Sequence, residues 1–580
     1  MVKGGSEEVE PVMPADTVLC SLKESSLPPD QPKSSSSSLG DGRIPVHRSY
    51  DLVVIGGGIN GAGVAREAAL RGLSTLLLDK GDFGGGTTSW STRLIHGGLR
   101  YLETFEFALV RESLREREIL LRTAPHLVRP LQLTIPIYRQ GQRPPWQIRA
   151  GMTLYDLLSF DKSLPNHRML SAAAFRQLFP QVDAQDLLGA AQYYDGQVVY
   201  AERLCLETVL SAQQAGATVV NYAQVTHLEA GPNGIHTLQG QDHLSGVPFR
   251  LTGLDNAIVV AMAGPWLDSL LGSLRPGYQP LIGGTKGSHI LVEPFPGSPR
   301  SALYVEAKSD GRPLFVVPWG WETPLLLIGT TDIPYKGDLD AVQATPEEID
   351  YLLQEANRLF PHAQLTRAQI RFTYAGVRPL PYSQGLKPGQ ITRSHILKDH
   401  ASEGIPNLIS LIGGKLTTFR QVGQDCVDQV LRKLGKPVSP SPTPNQPFPG
   451  AITPQDPRIA EALRTYAPLL PARTLHHLFN LYGSRALQVL ELVATNPDLA
   501  QPIAPPWPDI AAQLIFALQA EMAQTLVDLL LRRTTVGIQA HPCQEPMPHI
   551  LEILRNHAGW DEHRCQMERA NYQAYLDSHC

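Results

Sequence analysis

Asp51-Leu52-Val53-Val54-Ile55-Gly56-Gly57-Gly58-Ile59-Asn60-Gly61-Ala62-Gly63, running on into Val64-Ala65-Arg66-Glu67-Ala68-Ala69-Leu70-Arg71-Gly72, is the stretch that decides the fold. The short apolar run before the glycines reads as a buried strand. The alanine-rich stretch after them reads as a helix, with Gly72 as its stop. Leu73 to Asp79 reads as a second strand that ends in an acid. Strand, glycine turn, helix and strand make the first βαβ unit of a dinucleotide-binding fold. In that unit Gly56 permits the tight turn, Gly58 the close approach of a phosphate, and Gly61 the packing of helix on strand. The helix start at Ile59 and Asn60 offers N–H groups and a positive dipole end to a pyrophosphate. Asp79, with Lys80 beside it, stands where a carboxylate accepts from a ribose 2′-hydroxyl and disfavours a 2′-phosphate. An adenine dinucleotide is the expected ligand.

The surrounding chain has 580 residues, enough for about two to four domains. Glycine and proline number 49 each, which suits an α/β protein rich in turns. The six cysteines are far apart with no C-x-x-C pair, an arrangement that fits a reducing, cytoplasmic setting and neither a zinc ribbon nor a disulfide framework. A net charge of −5 without a basic stretch argues against a nucleic-acid partner. No window approaches the length of an uncharged membrane span, which leaves peripheral attachment open. The start, MVKGGSEEVE, has neither the apolar core of a signal peptide nor the character of a transit peptide. No metal site is expected: there is no H-E-x-x-H, and His476-His477 lacks a third ligand.

Residues 1–48 carry Pro28-Pro29 and the serine run 34–38 without an aromatic, and are expected to be disordered. Later strand candidates are Ala217 to Val220, Ala257 to Ala261, Leu314 to Val317, Leu325 to Ile328 and Leu408 to Leu411. Helices are expected over Ala201 to Ala215, Pro346 to Phe360 and Thr417 to Leu434. Six prolines between Pro437 and Pro449 mark a linker or rigid surface strap, placed at 436–455. Beyond it, 456–580 reads as a helical domain, with one helix spanning Asp509 to Leu531. Residues 49–435 then form the nucleotide-binding domain from discontinuous segments, with the substrate portion mainly at 95–200 and 270–400. The Gly84 to Thr92 loop follows the first unit directly. A second strand–glycine–helix junction, with Gly413-Gly414, arrives only after Leu408. Either it brings backbone donors and a second helix start to the same cofactor, which suits a buried flavin better than an exchanging NAD, or it is an ordinary β–α turn.

Ser91 to Leu102, Lys286 to Ile290, Ile328 to Asp332, Tyr374 to Leu380, Gly413 to Thr418 and Asp528 to Thr534, together with Asp51 to Gly63, resemble the FAD-dependent glycerol-3-phosphate dehydrogenases. The likeness covers residues 50 to about 540. It implies an α/β plus α architecture: a Rossmann-like FAD domain of the glutathione-reductase/D-amino-acid-oxidase type, an inserted sheet domain for substrate, and a C-terminal all-helical domain. It also implies oxidation of sn-glycerol 3-phosphate to dihydroxyacetone phosphate, hydride transfer to FAD, a membrane quinone as acceptor, and peripheral membrane contact. Self-association as a homodimer stays open. The family's substrate positions fall here on Arg100, Tyr101, His289, Arg378, Arg393 and Lys415. Its flavin surroundings fall on Thr87, Thr88, Ser89, Ser91, His96, Gly97, Gly98, Gly264, Gly413, Gly414, Lys415 and Thr417. Arg93 stands where many members have lysine, and Ala261-Met262-Ala263-Gly264 replaces the commoner Ala-Thr-Gly.

The chemistry asks for guanidinium donors on the phosphate, and Arg378 and Arg393 are assigned that role with Arg100 in support. Proton removal from the C2 hydroxyl asks for a base near neutrality. His289 is the candidate, either as that base or as a group that positions the hydroxyl. Lys415 is expected to stabilise negative charge as it develops. The rival readings are the same oxidation with oxygen as acceptor, an amino-acid oxidase, and a flavin-binding protein without turnover.

Overall fold

The computed structural model describes residues 43–46, 48–274, 278–320, 325–385, 391–540 and 545–579. The expected disordered segment falls almost wholly outside the described residues, as do Cys20, Cys543 and Cys580. Residues 1–45 form one unit and Val46–Cys580 another, and all the elements named here belong to the second.

Its nucleotide-binding part is a six-stranded sheet in the order Ile396–Asp399, Leu408–Ile412, Ile258–Ala261, Leu52–Ile55, Thr75–Leu78, Thr218–Val220. The first strand is central, paired in parallel with Thr75–Leu78 on one side and Ile258–Ala261 on the other. Burial on both faces explains its unbroken apolar run. The Ile59–Leu70 helix packs against Ala201–Gln214 and Phe419–Lys433, and small residues set its approach. A Cβ on Gly63 would stand 2.8 Å from the Phe419 carbonyl oxygen, and one on Gly423 2.7 Å from that of Gly63. The residues near 420 are thereby locked onto those near 60.

The second sheet has ten strands. It is mostly antiparallel and draws on Leu94–Ile95, Val128–Tyr138, Arg168–Ser171, Leu187–Val198 and six strands between Thr285 and Arg378. Its centre is Thr285–Val292, which sets His289 opposite Tyr374 and Thr285 opposite Arg378. A three-stranded antiparallel sheet, Ala223–Gly231, Gly234–Asp242 and Pro248–Thr252, follows the nucleotide sheet's edge strand.

The proline-rich stretch is a packed strap. Phe448 is buried under the Arg66 guanidinium, 4.1 Å from its ring centre, and Arg66 Nη2 donates to the Gln446 carbonyl at 2.7 Å. Beyond it the chain is helical, with one departure from expectation. The helix predicted over Asp509 to Leu531 runs only from Ala511 to Ala520, and a wide-turned segment, Asp528–Arg533, follows. Glu521 ends the first piece because its buried carboxylate is held by Arg203 and Arg485, at 2.5 and 2.6 Å. Met522 then takes a left-handed backbone, φ 56°, and redirects the chain. Among the described residues no helix is long and apolar enough to cross a membrane.

Candidate functional site

One long cleft of about 1660 Å³ runs between the two sheets. Its floor at one end is the glycine turn. Gly56 has φ 107°, and a Cβ there would meet the Met262 carbonyl oxygen at 2.5 Å, so the crossing of two strand ends requires glycine. A Cβ on Gly61 would overlap the Gly56 oxygen at 1.8 Å. Gly58 differs: its Cβ would find only Thr88 Oγ1, at 3.5 Å, so its backbone faces the open cleft. Thr88 Oγ1 accepts the Ile59 N–H at 3.1 Å and takes up one of the free donors at the helix start. Asp79 braces the turn, accepting from Gly57 N at 2.5 Å and Gly81 N at 2.8 Å. Burial raises its carboxyl to about 6 against the pull of those two N–H groups. Lys80 stacks on Trp266, 4.1 Å from the ring centre, and pairs with Asp340.

The second glycine junction reaches the same place. A Cβ on Gly414 would sit 2.9 Å from Asn60 Nδ2, at the start of the first helix. Gly413 N donates to the Pro379 carbonyl at 2.8 Å, and the His96 N–H donates to Thr417 Oγ1 at 3.1 Å. Thr87 Oγ1 donates to the Val377 carbonyl at 2.7 Å, so the serine–threonine loop is tied to the strand that ends in Arg378. Segments about 350 residues apart in sequence thus wall one cleft.

Its other end is cationic. Arg378 and Arg393 each reach the carboxylate of Asp332 at 3.2 Å. Arg378 also donates to Thr330 Oγ1 at 3.0 Å. Tyr101 lies in the field of Arg393, Arg378 and Arg100, and the Lys415 ammonium sits 4.0 Å above its ring. Burial alone would raise the Tyr101 hydroxyl, and those three cations oppose it. Gly98, at φ 77°, leaves room for the Tyr101 ring, which a Cβ there would strike at 2.1 Å. Lys415 Nζ is buried with no hydrogen-bond partner, and burial lowers its pKa to about 7 although Glu112 and Glu106 pull the other way.

His289 does not keep histidine's ordinary titration. Burial first, then the charges of Arg378 and Arg93, hold it well below the usual range, so it is neutral at pH 7. Its Nε2 bonds Thr92 Oγ1 at 2.9 Å, its ring stacks on Tyr374 at 4.8 Å, and Nδ1 is buried without a partner. His96 is likewise neutral, lowered by burial to about 4.

The cleft therefore brings together Gly56, Gly58, Ile59, Asn60, Asp79, Lys80, Thr87, Thr88, Ser91, His96, Gly98, Gly264, Gly413, Gly414 and Thr417 with Arg100, Tyr101, His289, Arg378, Arg393 and Lys415. Three expected residues do not line it. Gly61 lies beneath the turn. Ser89 turns its hydroxyl back to the Gly84 carbonyl at 2.7 Å. Gly97 is spent on packing, since a Cβ there would meet Tyr155 Oη at 2.4 Å and Leu114 Cδ2 at 2.6 Å. Sequence reasoning missed Thr92, Thr330 and Asp332, which hold His289 and the two arginines. Asp332 ends a strand-and-glycine motif, and its place there was the one available signal. The lining by Asn571, Tyr575 and His579 from the helical region had none, and Arg532 had only its place in the Asp528 to Thr534 motif.

Comparison with known proteins gives the arrangement a family. Residues 51–414 match the FAD dependent oxidoreductase family, and residues 441–565 match the C-terminal domain of alpha-glycerophosphate oxidase. A glycerol-3-phosphate dehydrogenase of Synechocystis sp. is 54% identical across 92% of this chain and 97% of its own length. The aerobic glycerol-3-phosphate dehydrogenase of Escherichia coli is 36% identical across 85% of this chain and 95% of its own. The solved structure of the Bacillus halodurans glycerol-3-phosphate dehydrogenase with FAD superposes at a TM-score of 0.73. It shares 27% identity and covers 92% of this chain and 96% of that one. FAD is the cofactor, and the cleft fits it: Gly58 leaves its backbone open, and Asn60 Oδ1 and Lys415 Nζ are buried polar atoms without partners. From its glycine turn to its second glycine junction, the chain belongs to the FAD-dependent glycerol-3-phosphate dehydrogenase family.

Proposed function

We propose that this protein oxidises the C2 hydroxyl of sn-glycerol 3-phosphate to give dihydroxyacetone phosphate, and that the electrons pass on to a quinone. The observation that carries the reading is the pair of guanidiniums on Asp332 beside a buried Lys415 without a hydrogen-bond partner, in the cleft that begins at Gly58. Bound FAD supplies the two-electron acceptor at the flavin N5. The Gly58 and Asn60 backbone, with Thr88, would hold its pyrophosphate, and Asp79 and Lys80 would take its adenosine side. Gly413, Gly414, Thr417, His96 and Ser91 would hold its ring end.

Arg378 and Arg393 bind the phosphate dianion, with Arg100 adding charge at the mouth. Asp332 fixes the direction of their forks. As the C2 hydride departs, the hydroxyl proton moves to the Lys415 amine, whose pKa near 7 makes the neutral form available at working pH. His289 is too depressed to hold that proton and acts as the positioning group: with Nε2 fixed by Thr92, Nδ1 is the atom left for the substrate hydroxyl.

Anaerobic titration tests this directly. Glycerol 3-phosphate bleaches the yellow protein, while glycerol and lactate leave it oxidised; bleaching by lactate would return the site to a 2-hydroxy or 2-amino acid. A quinone analogue then restores the colour faster than air. Stoichiometric hydrogen peroxide in aerated turnover would make the protein an oxidase instead.

A further inference from the structure

Lys415 lines the cleft, but three titratable side chains gathered near it do not. They are Glu112 on the Phe107–Thr123 helix, His395 just before the Ile396–Asp399 strand, and Asp425 on the Phe419–Lys433 helix. The second glycine junction sets the histidine beside the lysine's loop: a Cβ on Gly413 would come 3.8 Å from the His395 Cα, and Ile412 pairs with Ile396. His395 turns one ring nitrogen to each acid. Its Nε2 bonds Asp425 Oδ2 at 3.2 Å, and its Nδ1 stands 3.7 Å from Glu112 Oε1. Asp425 Oδ1 accepts from Gln421 Nε2 at 2.8 Å. Side-chain exposure rises from 14% at His395 to 38% at Asp425, so the row ends at the surface.

The inner end of the row meets the lysine. Glu112 Oε1 and Lys415 Nζ are both buried without a hydrogen-bond partner, and each lies in the other's field. Two further acids stand close and both are occupied. Glu106 accepts the Thr392 hydroxyl at 2.6 Å, and Arg420 grips both oxygens of Glu116 at 2.7 Å. Arg393 adds like charge to Lys415. Burial raises the Glu112 carboxyl; burial lowers His395, but its two acids outweigh that and raise it. Both groups thus shift toward the range of Lys415. A purely structural ion pair closes the contact between its charges, whereas here the inner carboxylate oxygen is left toward the amine. Substrate and cofactor fill the cleft during turnover, which favours a proton exit behind the lysine.

We propose that Glu112, His395 and Asp425 relay the substrate's hydroxyl proton from Lys415 to bulk water. The proposal rests on Lys415 as the base in the reaction above. The hydride leaves C2 with its electron pair, and the hydroxyl O–H bond breaks toward the Lys415 amine. The Lys415 N–H then breaks as a Glu112 O–H forms. That proton moves on to His395 Nδ1 while Nε2 gives one to Asp425, which releases it to water. A half-turn of the imidazole restores the first tautomer. One proton leaves for each substrate oxidised, and no group in the row changes oxidation state.

The test uses the full-length, flavin-loaded protein in weak buffer above the Lys415 value. A single turnover needs only an empty Lys415 amine, whereas repeated turnover needs it emptied each time. In His395→Ala, glycerol 3-phosphate bleaches the flavin in one turnover within about twofold of the parent rate, while steady-state kcat with a soluble dye falls about tenfold at unchanged KM. Added imidazole restores that kcat and leaves the parent's unaltered. Asp425→Asn, changed at the exposed end of the row, guards against a folding defect and shows the same split. Parental steady-state rates in both variants overturn the relay. So does a single turnover lost together with kcat and not repaired by imidazole, which would make the row structural. A parent protein that glycerol 3-phosphate does not bleach removes the proposed activity itself. A parent that bleaches, with a pH limb that survives Lys415→Met, removes the lysine as base and the relay with it.

Discussion

Arg378 donates along two directions, to Asp332 and Thr330, and only a fork makes both bonds. Arg378→Ala should therefore raise KM about a hundredfold, ~3 kcal/mol, while flavin content stays near that of the parent; loss of flavin would place the residue in the cofactor site. As the proposed base, Lys415 should carry the pH dependence. Its folded pKa is near 7, so the neutral amine gains population as pH rises through that value, and kcat/KM should climb with a limb at about pH 7. Lys415→Met should lose both the limb and most of the rate. His289→Gln should lower kcat by about 10²-fold and keep the limb; a limb that vanishes with His289 would return the base role to the histidine. That histidine shows how a residue's chemistry is rewritten by place. Its type suggests titration near neutrality, but burial among cations removes it.

Two glycines of the first turn separate fold from cofactor. Gly61 touches backbone, and Gly61→Ala should cost several kcal/mol and yield insoluble or unstable protein, since the Gly56 oxygen at 1.8 Å cannot yield. Gly58 touches only a hydroxyl at ordinary contact distance, and Gly58→Ala should fold normally, by circular dichroism and melting, yet purify colourless. A Gly58→Ala protein with full flavin would mean the phosphates lie elsewhere. Both glycines were legible in sequence from their spacing between strand and helix. The end of the Ala511–Ala520 helix was not. A continuous apolar pattern across Glu521 favours one long helix, and the acid turns the chain because two buried arginines from other segments are waiting for it.

The whole molecule is tied by a buried ionic core between the glycine loop and the helical region. Asp82 accepts from Arg533 and Arg532, each at 2.7 Å, and Arg532 also holds Asp528. Burial pushes the Asp82 carboxyl up, but the two arginines outweigh it and bring it to about 2; Glu521 is brought to about 2 in the same way by Arg203 and Arg485. Both folded values lie below those of the unfolded chain. The stability they contribute is complete above the ordinary carboxylate range and is lost as pH falls from about 4 to about 2. Acid should thus loosen the helical region from the flavin domain in that window, followed as flavin release and a fall in unfolding temperature. Asp82→Asn should lower stability at pH 7 by about 3–5 kcal/mol, because the buried Arg533 loses its carboxylate partner and Arg532 keeps only Asp528. An unchanged melting curve would mean the pairs are dispensable.

The local sequence sufficed for the nucleotide-binding unit, because strand, turn and helix there are dictated by neighbours within about thirty residues and by the steric freedom of glycine. The helical C-terminal region was also readable, since periodicity acts locally. Bringing Asn60 against Gly414, two arginines onto one aspartate, and an arginine-bearing helical segment against the glycine loop was the work of the tertiary structure. Those contacts join segments hundreds of residues apart, and their strength comes from burial, which no single stretch of chain possesses by itself.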